Sequence, residues 1–157
     1  MHVTTNHRKC YSKLTNEFHI EIVTWTDCQS ELRNVREQVF VREQNVPIEL
    51  EWDGFDETAT HLLVIHKKIP IACARILNYQ VIGRMAVLKS YRGFGLGFKI
   101  LLKAIEICKL YNTQLITLSA QVHAVRFYEK AGFLVCSEPY IDANIFHVDM
   151  QLELGFW

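Results

Sequence analysis

Apolar and polar residues alternate along much of this chain in short runs that are typical of β-strands. The strands predicted from this alternation lie at residues 18–25, 61–66, 70–79, 81–88, 114–119, 133–136 and 146–152. Short connections between the second, third and fourth of these strands predict an antiparallel meander. The strand–helix–strand unit that follows predicts one parallel pair with a right-handed crossover. We therefore expect one α/β domain built on a mixed sheet.

Helical spacing of apolar residues predicts three helices between these strands. The first begins at Asp27, interpreted as its N-cap, runs through Val41 and is stopped by Pro47. Its polar side is expected to face solvent and consists of Arg33, Arg36, Glu37 and Gln38. The second helix is long and amphipathic, has Gly97 as the first residue of its apolar stripe, and is ended by Asn112. The third is short, covers 122–131, and is ended by Gly132.

A loop with three glycines at alternate positions, Gly93, Gly95 and Gly97, joins the strand containing Val87 to the long helix. Glycines allow backbone N–H groups to approach a ligand closely, and the first turn of a helix favours an anion. A dinucleotide-binding fingerprint is excluded because Phe98 occupies the position of its third glycine. A P-loop is excluded because no Gly-Lys-Ser or Gly-Lys-Thr closes the loop. The pattern that remains is Arg92-x-x-Gly95-x-Gly97.

A second motif follows in the segment 121–133, which reads QVHAVRFYEKAGF. Together the two motifs resemble those of the GNAT N-acyltransferase superfamily, in the same order and at a similar distance. Gln121 stands where the superfamily usually has Asn, whereas Tyr128 and Gly132 match. The segment 40–47, followed by acidic residues ahead of His61, is also similar to small bacterial GNAT proteins of the ElaA type.

This resemblance implies a single-domain GNAT fold, with a mixed, mostly antiparallel central sheet flanked by about four helices. Two splayed strands would form a slot for acetyl-CoA or a related acyl-CoA. Tyr128 would be the catalytic acid that protonates the leaving CoA thiolate. The cofactor-binding residues implied are Ala86, Val87, Arg92, Gly93, Phe94, Gly95, Leu96, Gly97, Gln121 and Tyr128.

The function expected from the resemblance is direct transfer of an acetyl group from acetyl-CoA to a primary amine of a small molecule or peptide. The alternative is a non-catalytic acyl-CoA-binding or regulatory module on the same fold. No metal is expected, because no set of His, Cys and acidic residues has ligand spacing. The resemblance also allows a homodimer.

An acidic segment at residues 48–60, which also contains Trp52 and Phe55, has two interpretations. It is either a solvated loop or a rim for a cationic substrate. Arg75 and Arg84 lie in predicted strands and are expected to pair with these acids or to bind a substrate carboxylate. The general base is left open among Glu51, Asp53, Glu57, His61, His123 and His147.

Composition narrows the remaining possibilities. The chain of 157 residues has 17 basic and 17 acidic residues, so its formal net charge is zero. It therefore lacks the net positive charge that would attract nucleic acid or an anionic membrane. Five cysteines without a CxxC pair predict free thiols in a reducing compartment. No apolar run resembles a signal peptide or a spanning helix, which predicts a cytoplasmic protein. Residues 1–17 are expected to be a flexible arm, and 18–157 the acetyltransferase domain.

Overall fold

The computed structural model of the protein describes residues 18–155, and the predicted arm at 1–17 lies outside them. Eight strands of this part of the chain form one sheet: β1 (Ile20–Val23), β2 (Thr60–His66), β3 (Ile69–Leu77), β4 (Val81–Val87), β5 (Leu115–Gln121), β6 (Leu134–Val135), β7 (Tyr140–Asp142) and β8 (Ile145–Glu153). The helices are α1 (Trp25–Arg36), continued by a π-helical segment (Glu37–Glu43), α2 (Ile48–Glu51), α3 (Leu96–Leu110) and α4 (Val125–Glu129). Single 3-10 turns lie at Lys89–Tyr91 and Val122–Ala124.

The sheet has the order β1-β2-β3-β4-β5-β8-β6, with β7 pairing with β8. Neighbouring strands are antiparallel except β4 and β5, which are parallel. The predicted meander and the predicted parallel pair on either side of α3 are therefore confirmed. The structure adds a strand, β7, that the sequence did not indicate, because its three residues are too few to show a period.

Helices cover both faces of the sheet because the central strands are apolar on both sides. In β2, Leu62 and Val64 pack in the same cluster as α3, whereas Leu63 packs with α1. α3 contributes most of the buried helical surface: Leu96, Ile100, Leu101, Ala104, Ile105, Ile107 and Cys108. Within the described residues, no helix combines the length and the apolar character needed to cross a membrane.

The start and end of the first helical region differ from the prediction. Thr24, and not Asp27, is the N-cap, because its side chain accepts a hydrogen bond from the Asp27 amide at 3.2 Å. At the other end the helix widens into the π-helical segment, as seen in the bond of 3.1 Å from the Gln44 amide to the Val39 carbonyl. π-Helical turns occur often at functional sites. This one ends at Glu43, which lines a cleft of about 840 Å³.

Candidate functional site

A cleft opens where β4 and β5 diverge. These parallel strands pair only at Val81 and Thr117, so they separate toward Val87 and Gln121 at their C-terminal ends. The cleft has a volume of about 840 Å³, and both strand ends line it. Clefts of this size accommodate a small molecule or a cofactor. The divergence leaves backbone groups of β4 without a partner strand on that side.

The glycine loop forms one wall of this cleft and ends at the N-terminus of α3. Gly93 and Gly95 have φ angles of +87° and +83°, a left-handed conformation that strains other residues. The amides of Gly93, Gly95, Leu96 and Gly97 make no hydrogen bond to any described residue. α3 is a 15-residue helix, and its dipole adds partial positive charge at this end. The wall therefore has several N–H groups without a partner in the described part of the chain, at the end of a helix that favours an anion.

All the residues predicted to bind the cofactor line this cleft except Phe94, which lies in the glycine loop outside the lining. The Arg92 amide donates to the Lys89 carbonyl at 3.3 Å and so closes a local turn. The structure thus brings together residues from β4, the loop, the end of β5 and α4, which are up to 42 positions apart in the sequence (86 to 128).

Tyr128 reaches the same cleft from α4. Its ring packs edge-on against Phe127 and Phe133, with centroid distances of 5.1 and 6.1 Å. Burial raises the pKa of Tyr128 to about 12. The phenol is therefore uncharged at neutral pH, and its hydroxyl makes no hydrogen bond to any described residue. A half-buried hydroxyl without a partner among the described residues is a donor with unused capacity.

Two contacts connect the end of the π-helical segment to the walls of the cleft. Arg92 donates two hydrogen bonds to Glu43, at 2.7 and 2.9 Å, and a third to the Val87 carbonyl at 2.8 Å. Gln121 donates to the side-chain oxygen of Gln44 at 2.7 Å. The hydrogen bonds from Arg92 outweigh burial and lower the pKa of Glu43. The sequence carries no signal for these contacts, because residues 43 and 44 are remote from both walls along the chain.

A buried network of charges lies beneath the other side of the cleft. Arg36 is 1% exposed and donates to Glu51 at 2.7 Å and to Asp56 at 2.6 Å. Arg75 pairs with Asp53 through two hydrogen bonds of 2.8 Å. The network thus joins α1, the acidic segment and β3. Such networks are costly to break, because removing one member leaves a buried charge without a partner.

Two predictions about these residues are wrong and one is confirmed. Arg36 does not face solvent, and the solvated-loop interpretation fails for Glu51 and Asp56, which are buried. The physical reason is that each buried charge finds an opposite charge from a distant segment. The expectation that Arg75 and Arg84 pair with these acids is confirmed.

Arg84 reaches the network from an irregularity in β4. The register between β3 and β4 shifts between Cys73 and Arg75, and Arg84 has a φ angle of +46°. Its guanidinium donates to the Glu51 carbonyl at 3.2 Å and also contacts Asp53 at 3.2 Å. Burial raises the pKa of Glu51, and the neighbouring arginines only partly oppose this effect.

The candidate bases divide according to their position. Glu51, His123 and His147 line the cleft, whereas Asp53, Glu57 and His61 do not. His61 is 1% exposed, and its ring lies 2.8 Å from the Asp56 carbonyl through Nε2. Burial lowers the pKa of His61. The structure therefore reduces six candidates to three.

Comparisons with known proteins agree with this geometry. Residues 26–154 match a family model described as an acetyltransferase (GNAT) domain. The chain is 40% identical over 122 residues to YjcF of Bacillus subtilis (strain 168), named an uncharacterized N-acetyltransferase, covering 74% of this chain and 86% of that protein. It is 34% identical over 132 residues to the protein ElaA of Escherichia coli (strain K12), covering 78% and 86%.

Solved structures show the same likeness in three dimensions. The crystal structure of Escherichia coli ElaA superposes with a TM-score of 0.78 at 30% identity, covering 87% of this chain and 99% of that one. An acyl-CoA N-acyltransferase from Pseudomonas aeruginosa has a TM-score of 0.78 at 29% identity, covering 86% and 99%. The arrangement of strands and helices is therefore that of a known fold.

Proposed function

Because the chain belongs to the GNAT acetyltransferase family and is an acyl-CoA-dependent acyltransferase, we propose that it transfers an acetyl group from acetyl-CoA directly to a primary amine. The acceptor is a small molecule or a peptide. One observation carries the proposal. The amides of Gly93, Gly95, Leu96 and Gly97 lie in one cleft with Tyr128, whose hydroxyl has no partner in the described part of the chain, beside the divergence of β4 and β5.

The diphosphate of CoA binds to these four amides, whose N–H groups have no other partner among the described residues. The pantetheine arm is an amide chain, so it pairs with the open edge of β4 near Ala86 and Val87 in the manner of an added strand. Gln121 donates one of its two amide hydrogens to Gln44, so its side-chain oxygen and its second N–H are left for the cosubstrate. The thioester is thereby directed between the two strands.

The acceptor amine has to be neutral when it attacks. An alkyl amine has a pKa of about 10.4, so only about one molecule in a few thousand is neutral at pH 7. Recovering the neutral form costs roughly 4–5 kcal/mol, which a base or desolvation has to offset. The oxygen of the thioester becomes negatively charged during the attack, and a backbone N–H near Val87 stabilises it.

Tyr128 assists the departure of the CoA thiolate. Transfer of a proton from a phenol of pKa about 12 to a thiolate of pKa about 8.5 is uphill by about 5 kcal/mol. The gap narrows in the cleft because burial also raises the pKa of the departing thiol. Tyr128 therefore acts first as a hydrogen-bond donor to sulfur, and the proton moves as the carbon–sulfur bond breaks.

The test is an acceptor screen with the purified chain. Acetyl-CoA is offered with a panel of small primary amines and short peptides, and the release of free thiol is followed together with the mass of the acetylated product. We expect a subset of amines to be acetylated. Binding of acetyl-CoA, seen as a raised melting temperature, without thiol release from any amine would refute the proposal.

A further inference from the structure

A histidine on β8 lies beside the open end of the cleft. His147 is directly opposite Gln121 of β5 on one side and Tyr140 of β7 on the other. Residues in register on neighbouring strands point to the same face of a sheet, with Cβ atoms about 5 Å apart. His147 thus stands next to the end of β5, on the wall that faces the diverging strand β4, and it lines the cleft.

One hydrogen bond determines which nitrogen of His147 carries the proton. Nδ1 lies 2.7 Å from the carbonyl oxygen of Ile145. A carbonyl oxygen only accepts hydrogen bonds, so Nδ1 is the protonated nitrogen. In the neutral ring the lone pair is then on Nε2. Nε2 makes no hydrogen bond to any described residue, so the lone pair is available on a side chain that lines the cleft.

The imidazole ring of His147 is also held in place by a stacked aromatic side chain. Tyr140 stacks on it with a centroid distance of 6.0 Å and an angle of 20° between the planes. The Tyr140 hydroxyl donates a hydrogen bond to the Asp149 carboxylate at 2.7 Å and makes a second hydrogen bond with the Ser119 hydroxyl. These contacts fix the plane of the stacking partner. A base with a fixed tautomer and a fixed ring plane is preorganised for proton transfer.

The two other candidates in the cleft lack this arrangement. Glu51 has one carboxylate oxygen engaged by Arg36 at 2.7 Å and by Arg84 at 3.2 Å, so its charge already serves the buried network. His123 is exposed on a 3-10 turn, and no described residue orients its ring. Two acidic residues lie near His147 in the sheet. Asp149 is two positions further along β8, and Asp142 of β7 pairs with Ile145, two positions before His147.

We propose that His147 is the base that takes the proton from the acceptor amine through Nε2. This inference rests on the proposed function. The ammonium group gives one proton to Nε2, and the neutral nitrogen forms a bond to the thioester carbon. As the carbon–sulfur bond breaks, its electron pair goes to sulfur, and Tyr128 gives its hydroxyl proton to that sulfur. The second proton of the nitrogen replaces it on Tyr128. The first proton leaves from His147 to water.

The first test needs no acceptor. Diethyl pyrocarbonate modifies unprotonated, accessible imidazole nitrogens, and peptide mass spectrometry locates the adduct. Near neutral pH we expect modification of His147 at a rate comparable to that of exposed His123, which is the positive control. Buried His61 is the negative control. Protection of His147 equal to that of His61 would overturn the inference, whatever the activity of the chain.

The second test compares His147→Gln with the control His19→Gln, since His19 is exposed and does not line the cleft. The probes are benzylamine, which is protonated at neutral pH, and O-benzylhydroxylamine, which has a similar shape and is already neutral. If the wild-type chain acetylates neither probe, the same comparison uses the best amine of the acceptor screen and its alkoxyamine analogue. An inactive wild-type chain would refute the proposed function and the base role together.

For an active chain, we expect His147→Gln to lower kcat/KM for the protonated amine by roughly 100- to 10,000-fold. The loss for the neutral alkoxyamine should be much smaller, and His19→Gln should change neither rate. An equal loss for both probes would mean that His147 only shapes the cleft, and an unchanged rate would mean that it has no part in the reaction. Either result would overturn the inference while leaving the proposed function intact.

Discussion

Replacing Arg36 by methionine tests whether the buried charge network stabilises the fold. The guanidinium of Arg36 is 1% exposed and donates three hydrogen bonds, to the Glu51 carboxylate, the Asp56 carboxylate and the Glu51 carbonyl, at 2.7, 2.6 and 3.1 Å. Methionine keeps much of the aliphatic stem and removes the charge. Glu51 and Asp56 would then remain buried with fewer partners.

The expected loss in the free energy of unfolding depends on which ion pairs remain after Arg36 is replaced. Breaking a buried ion pair by removing one partner typically costs about 3–5 kcal/mol, because the other charge is left desolvated. Arg84 still contacts Glu51 and Arg75 still contacts Asp56, each at 3.2 Å. Each carboxylate therefore keeps one cationic partner. We expect a loss near the lower end of this range, about 3 kcal/mol in the free energy of unfolding. That is a large fraction of the stability of an ordinary domain.

Urea denaturation measures this loss, and Arg33→Met is the matched control on the same helix. Arg33 stacks over Trp52 with 4.5 Å from its guanidinium carbon to the ring centroid, and Arg36 stacks at 4.9 Å. Arg33 has no ion pair among those of the described residues. The control should therefore lose only about 0.5–1 kcal/mol. Equal losses for the two variants would refute the reasoning, since stacking alone would then account for both.

Three further predictions concern the site and the pH range of stability. Tyr128→Phe should lower turnover roughly 100-fold or more while the melting temperature and the affinity for acetyl-CoA stay nearly unchanged, as the lost hydroxyl has no partner among the described residues; a wild-type rate would remove Tyr128 from its role. Burial acts to raise the pKa of Asp53, but hydrogen bonds from Arg75 outweigh it and lower this pKa to about 2. Because the folded pKa lies below the unfolded one, the stabilisation is present above about pH 4 and is lost as the pH falls toward 2, amounting to about 1–2 kcal/mol once screening by solvent is allowed for; urea titrations in this range should show a shallower loss for Asp53→Asn, and parallel curves would contradict the assignment. Gly95→Ala places a side chain at a φ of +83° and should cost about 1–2 kcal/mol and weaken acetyl-CoA binding by calorimetry, whereas Gly155→Ala should do neither.

Local patterns along the chain were enough to predict most of the elements in their order and a loop suited to an anion, whereas the cleft beside that loop was implied by the resemblance to a known family. Alternation from His61 to Leu88 and the glycine loop before α3 are patterns of this kind, since a strand or a helix terminus depends on residues only a few positions apart. The two motifs ending at Gly97 and Phe133 added the family. Nine of the ten residues that the resemblance implied as cofactor-binding line the cleft between β4 and β5.

The partners of the charged and polar residues, in contrast, became visible only in the folded chain. Arg36 lies on a polar side of its helix by periodicity, yet it is buried because Glu51 and Asp56, 15 and 20 positions later, fold back onto it. The contacts from Glu43 and Gln44 to the cleft depend on a π-helical segment that hydrophobic spacing does not encode. The tautomer of His147 depends on one carbonyl oxygen. Ion pairs and hydrogen bonds of this kind join residues that are distant in sequence or depend on backbone geometry, so local periodicity carries no information about them.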